Sequence, residues 1–160
     1  MIYWFFGYPG IGKDYCAREL SLIGKFPHID ADDFLTEEDR KKLLTHKFTS
    51  QDRILKLTRI VDHIKNMQKH HQDIAVADSL PDNTSREFIL RSFNVDIRLI
   101  LVTAPPEIHK KRMAKRKNHF FTENLLDIYI RKNWQEIKVP HKEFVNDKGE
   151  DWNLRLAQLM

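Results

Sequence analysis

A chain of 160 residues carrying 27 Lys and Arg against 23 Asp and Glu is long enough for one domain with a real core; its mild positive excess suits an anionic small ligand, and nucleic acid is not expected as a partner. No apolar run reaches membrane-spanning length and no basic leader precedes the first apolar segment, so a cytoplasmic protein with no membrane partner is expected. The lone cysteine, Cys16, excludes an internal disulfide and is expected in the core.

Ile2 to Phe6 is an unbroken apolar and aromatic run, the composition of a strand buried on both faces. Gly7-Tyr8-Pro9-Gly10-Ile11-Gly12-Lys13 follows and fits the pattern G-x-x-x-x-G-K, after which Cys16, Ala17, Leu20 and Ile23 keep helical spacing. Strand, glycine loop and helix thus arrive in the order that a phosphate cradle requires. Glycines let the backbone curl so that N–H groups point inward at phosphate oxygens, the helix N-terminus adds partial positive charge, and Lys13 reaches the β- and γ-phosphates. Asp14 stands where the pattern has a Ser or Thr hydroxyl on Mg²⁺. Either it is a direct metal ligand, the alternative favoured by the aim of the usual hydroxyl, or its side chain turns away toward the helix N-terminus.

Gly24 and Pro27 end the first helix, and Phe26 to Asp30 reads as a second strand. A charged helix is expected from Thr36 to Leu44. A longer one starts at Ser50 as N-cap, carried by Ile54, Leu57, Ile60, Val61, Ile64 and Met67. Ile74 to Ala77 is a third strand that ends at Asp78, followed by the turn Pro81-Asp82-Asn83 and a helix over 85–93. Ile97 to Val102 is the fourth strand, and Pro105-Pro106 opens a helix whose basic face carries Lys110, Lys111, Arg112, Lys115 and Arg116. A loop over 118–122, a helix over 123–134, a short strand at Phe144-Val145 and a terminal helix after Gly149 complete the pattern. Strands alternating with helices predict a parallel sheet covered on both faces, one domain over 1–160 with a small lid at about 117–124.

Asp30 and Asp32 are two apart at the carboxyl end of a strand, where open α/β sheets bind ligands. Phosphoryl transfer needs carboxylates there, one toward metal-bound water and one to orient or deprotonate the attacking hydroxyl; capping of the following helix is the competing role. Asp78, at the end of an apolar strand, suits a metal-holding aspartate or a solvated strand end. Arg112 and Arg116 lie one helical turn apart and can both reach one polyphosphate. His119 with Phe120 and Phe121 suits a water-excluding lid. His63, His70 and His71 lack partners at metal-site spacing.

Taken in order, the loop Gly7 to Lys13, the segment Ile29-Asp30-Ala31-Asp32, the helix opening Phe48-Thr49-Ser50-Gln51-Asp52-Arg53, and Arg112 through Arg116 to His119-Phe120-Phe121 with Leu125-Leu126 resemble the P-loop kinases of small metabolites, gluconate kinases first and shikimate kinases next. The third stretch resembles the gluconate kinase L-T-D-x-D-R segment, the fourth the R-x-x-x-R-x-x-H-F lid. Arg86 matches the final arginine of the C-S-A-L-K-R-x-Y-R segment. The resemblance implies a three-layer α/β/α P-loop nucleoside triphosphate hydrolase fold with a five-stranded parallel sheet of order 2-3-1-4-5. It also implies ATP, Mg²⁺ and γ-phosphate transfer to a hydroxyl of a gluconate-like or shikimate-like acceptor.

In that scheme Lys13, Asp32 and Arg116 are catalytic. Gly7, Tyr8, Pro9, Gly10, Ile11, Gly12, Lys13, Asp14, Arg112 and Arg116 hold the nucleotide; Asp32, Arg53, Arg86 and His119 hold the acceptor; Asp14, Asp30 and Asp78 face the metal. Three departures stand out. Gluconate kinases have a different residue type at Asp78, Pro81-Asp82-Asn83 interrupts their next segment, and Asp127-Ile128-Tyr129 with Trp134 replaces their Ser-Gln pair and Leu-Glu-x-Pro stretch. A monomeric or homodimeric kinase is expected. A nucleotide, nucleoside or polynucleotide kinase is the alternative that the basic face supports, and a non-catalytic nucleotide-binding module is the alternative if Asp14 impairs Mg²⁺ chemistry.

Overall fold

In the computed structural model, which describes residues 1–115, 128 and 130–160, the strand β1 (Ile2–Phe6) lies at the centre of the sheet. Its side chains divide the core by simple alternation. Ile2, Trp4 and Phe6 face Leu57, Ile60, Val61 and Ile64 of α3 (Ser50–Met67) and Ile89 of α4 (Asn83–Arg91). Tyr3 and Phe5 face Cys16, Ala17 and Leu20 of α1 (Lys13–Gly24), with Trp152 and Leu156 of α6 (Trp152–Ala157). A strand apolar at every position is what a sheet covered on both faces requires. Cys16 is fully buried, and desolvation pushes its thiol up to about 12, so it is an inert core residue.

β1 pairs in parallel with β3 (Ile74–Ala77) and with β4 (Ile97–Thr103). β2 (His28–Asp30) adds outside β3 and β5 (Lys142–Val145) outside β4, also in parallel. The order is 2-3-1-4-5, as the family resemblance implies. The carboxyl ends of β1, β2 and β3 therefore deliver the glycine loop, Asp30-Asp32 and Asp78 to one edge of the sheet.

The local chemistry moves several boundaries. α2 (Glu37–Leu44) and α3 both open with reciprocal capping boxes, Thr36 with Asp39 and Thr49 with Asp52. The cap of α3 is thus Thr49 rather than Ser50: the Thr49 hydroxyl accepts the Asp52 N–H at 3.2 Å and the Asp52 carboxylate accepts the Thr49 N–H at 2.9 Å. α4 starts before Ser85 because Asp82 accepts the Ser85 N–H at 2.7 Å. A 3₁₀ turn, Ala31–Phe34, follows β2 directly, and α5 is Pro106–Ala114. Among the described residues no helix is long and apolar enough to cross a membrane. The lid expected at about 117–124, with Arg116 and His119, lies outside the described residues.

Candidate active site

The loop between β1 and α1 turns on glycines with left-handed backbones. Gly12 is the N-cap of α1 at φ 92° and supplies no side-chain cap; a Cβ there would collide with the Asn146 amide. Gly10, at φ 78°, would collide through a Cβ with Met113 of α5. Without a side-chain cap, the first N–H groups of α1 present an anion-binding end. Lys13 is the first residue of that helix. The cradle fits a nucleotide's phosphates.

Side chains from distant segments brace the loop. Arg112 and the Asn146 amide both donate to the Ile11 carbonyl, at 2.8 and 3.0 Å. Arg112 also donates to the Asn146 carbonyl at 3.0 Å. The Asn146 side-chain oxygen accepts the Trp152 indole N–H at 3.1 Å, and its backbone N–H donates to Thr103 at 2.7 Å. His109 Nε2 lies 2.8 Å from the Pro9 carbonyl. The structure thus gives Arg112, expected on the polyphosphate, the task of holding the loop backbone. Asn146 is buried at 1% exposure, and sequence reasoning missed it; its only local signal is an amide directly after an apolar strand end. Tyr8 packs edge-on against Trp134, ring centroids 4.4 Å apart, beside an apolar cavity of about 340 Å³ that Ile11, Leu101, His109 and Ile137 help to line.

Of the three carboxylates expected on a metal, Asp14 and Asp30 line one pocket beside β2 together with Asp33, His28 and His63, whereas Asp78 is not among that pocket's lining residues. Asp14 Oδ1 lies 3.0 Å from His28 Nε2 of β2, and hydrogen bonding to His28 holds its carboxyl below the usual range against the opposing effect of burial. Of the two alternatives for Asp14, this is the one in which the side chain turns away, with β2 as its partner. Asp30 accepts the Asp32 N–H at 3.0 Å and so caps the 3₁₀ turn; burial pushes its carboxyl up, and the Asp32 N–H opposes this. Asp78 is paired with Lys56 at 2.8 Å. Among the described residues no group of three or more His, Cys, Asp or Glu side chains could hold a metal ion. Each of the three expected Mg²⁺ carboxylates thus has a partner within the chain, while the second carboxylate oxygen of Asp78 is buried without one.

A second element of the site is the small cleft lined by Asp32, Leu35, Leu43, Phe48, Arg53, Lys56 and Ser79. Asp32 is exposed and, unlike Asp30, does not cap. Arg53 pairs with Asp82 at 2.8 Å and Lys56 with Asp78 at 2.8 Å, all four side chains no more than 7% exposed. The Asp78 N–H donates to the Phe5 carbonyl at 3.0 Å, which ties the cleft wall to the root of the glycine loop. Lys56 was not singled out from the sequence because it falls among the apolar residues of α3 as an ordinary surface lysine would. Arg86, expected on the acceptor, is corrected. It is fully buried and donates to the carbonyls of Leu80, Pro81, Gln135 and Glu136 and to the Asn83 side chain, stitching the loop after β3 to residues 135–136. Its guanidinium also stacks near Phe6 and Trp134.

A family model described as an AAA domain matches residues 5–124. A protein of Dictyostelium discoideum named a probable gluconokinase is 28% identical over 127 residues, which are 76% of this chain and 64% of that relative; the match thus spans less than two thirds of the relative's length. Among solved structures, a sugar kinase from Janibacter sp. HTCC2649 superposes with a TM-score of 0.78 at 20% identity, covering 98% of this chain and 90% of the other. A gluconokinase from Sinorhizobium meliloti 1021 gives 0.77 at 18% identity with the same coverage. At these identities the superpositions show a shared fold.

Proposed function

We propose that this chain, which belongs to the AAA-domain family matched over residues 5–124, is an ATP-dependent kinase that moves the γ-phosphate to a hydroxyl of a small metabolite. The observation that carries the proposal is the adjacency of its two halves. Asp78 bonds through its N–H to Phe5 beside the glycine loop and through its carboxylate to Lys56 in the wall of the Asp32 cleft. A nucleotide on the loop would thus end next to an acceptor in the cleft.

The triphosphate would lie on the N–H groups of Gly7 to Lys13 and the positive end of α1, with the Lys13 ammonium on the β- and γ-phosphates. Asp32 would accept the proton of the attacking hydroxyl as its oxygen bonds to phosphorus and the bond to the ADP oxygen breaks. Mg²⁺, which ordinarily accompanies this chemistry, would be held by the nucleotide's phosphates and water, with carboxylates of the set Asp14, Asp30 and Asp78 beside it. Arg116 and His119 stay assigned to the nucleotide and the acceptor by resemblance alone. A single domain, monomeric or homodimeric and cytoplasmic, belongs to the same proposal. The name of the Dictyostelium relative and the narrowness of the cleft both support a small acceptor.

The test is an ATP-consumption assay over gluconate, shikimate, nucleosides and oligonucleotide 5′ ends. Turnover of a small metabolite is the expected result. Turnover of oligonucleotide ends alone would overturn the small-acceptor reading, and ATP binding without turnover of any acceptor would reduce the protein to a nucleotide-binding module.

A further inference from the structure

Lys56 and Asp78 are 2.8 Å apart, and neither side chain is more than 6% exposed. Taking two charges out of water is offset by their attraction only where the remaining polar atoms are also bonded, and an apolar pair of similar volume often holds a fold as well or better. Here one atom is left over. Asp78 Oδ1 accepts from the Lys56 ammonium at 2.8 Å and from the Ser79 N–H at 2.7 Å, whereas Asp78 Oδ2 is buried with no hydrogen-bond partner among the described residues. Stability alone does not account for a pair built in this way.

Its place in the fold does. The Asp78 N–H donates to the Phe5 carbonyl at the root of the glycine loop, and Lys56 lines the same cleft as Asp32. An ammonium has three N–H groups, and Asp78 is the one hydrogen-bond partner of Lys56 among the described residues. Resting on the kinase reading above, we propose that Lys56 is an acceptor-binding residue: held by Asp78, its ammonium donates to an oxygen of the acceptor other than the hydroxyl that Asp32 deprotonates. Two contacts from fixed points orient an oxygen-rich molecule so that one hydroxyl faces Asp32 beside the loop. Hydroxyl and carboxylate oxygens both accept such a bond, so the contact serves a sugar acid and a neutral sugar alike. Asp78 acts through Lys56 and is a positioning residue.

The experiment compares the wild-type chain with Lys56→Met and with Lys56→Met/Asp78→Leu, the second of which leaves no member of the pair charged and alone. ATP consumption is measured with gluconate and with shikimate, ATP affinity by titration calorimetry, and stability by denaturant unfolding. The double variant should recover much of the stability that the single variant loses and should bind ATP like the wild type. Its KM for the acceptor should nevertheless stay at least tenfold raised, because one bond from a charged donor is gone, with kcat changed far less. Lys56→Met/Asp78→Asn takes its place should the double variant not fold. A folded double variant with the wild-type KM overturns the inference and leaves the pair a structural one. A fall in kcat at unchanged KM overturns it too, by placing the ammonium on the transferring phosphoryl group, as does a loss of ATP affinity as large as the rise in KM. These three results leave the kinase reading in place. A wild-type chain that binds ATP and turns over neither acceptor overturns the inference while leaving the nucleotide half of the proposed function, and failure to bind ATP overturns the kinase reading itself.

Discussion

The nucleotide cradle and the acceptor cleft occupy the same edge of the sheet and are built from opposite materials. The cradle is main chain: glycines at left-handed φ, an uncapped helix start and carbonyls pinned by Arg112 and Asn146. The cleft is side chain: two ion pairs whose partners are 29 and 22 residues apart, buried in its wall, and one exposed carboxylate. Backbone donors serve any triphosphate, because they recognise charge and shape without reference to the rest of the ligand. Buried pairs are costly to break and geometrically exacting, so they can select among acceptors. Loss of a cradle group should therefore weaken binding by a bounded amount, whereas loss of a cleft charge should change turnover or folding.

The largest effect expected is on turnover. Asp32→Asn keeps the shape of the side chain but cannot accept a proton, so acceptor-dependent turnover should fall by about 10²- to 10⁴-fold while calorimetric ATP affinity stays near wild type. Turnover at the wild-type rate would make Asp32 a surface residue. Next is folding: Lys56→Met leaves Asp78 buried without its cation and should cost about 3–5 kcal/mol in denaturant unfolding. Adding Asp78→Leu should recover much of that loss, and a single variant as stable as wild type would show that the pair contributes nothing to the cleft wall.

On the cradle side the expected changes are smaller. Lys13→Ala removes one charge-assisted contact, roughly 1.5–3 kcal/mol, or about ten- to hundredfold in ATP affinity; equal affinity by titration calorimetry would disconnect the loop from the triphosphate. At the cleft's supporting helix, Asp52 is held down to about 2 by Lys42 first, with Thr49 assisting. Its folded value lies below the ordinary value of about 4, so its stabilisation is present above about pH 4 and is lost as pH falls toward about 2. Asp52→Ala should cost about 0.5–2 kcal/mol at neutral pH, and acid unfolding curves of the two proteins should converge only below about pH 2.

The smallest change concerns the position that departs from the loop pattern. Asp14 faces His28 and is about half exposed on its side chain, so Asp14→Ser should cost only about 0.3–1 kcal/mol of stability once solvent screening is allowed for. Its folded value is lowered, so this contribution is present above about pH 4 and disappears at lower pH. The Mg²⁺ dependence of ATP binding should be the same in both proteins. A steeper dependence in the wild type would restore Asp14 as a metal ligand.

The sequence by itself determined the glycine loop and the alternation of strands and helices, because turn glycines, an all-apolar central strand and a helix period are local properties that neighbouring residues write into the chain; the strand order came from the family resemblance. It also marked Asp32, which stands in the cleft. Only the tertiary structure decided what the charged side chains do. Asp78 meets Lys56, Asp14 meets His28, Arg86 disappears among carbonyls, and Asn146 reaches the Ile11 carbonyl from 135 residues away. The physical reason is one of range. Backbone conformation is fixed within a few residues, whereas a charge, once buried, must be compensated by whatever partner the fold brings within about 3 Å, and sequence separation says nothing about which one that will be.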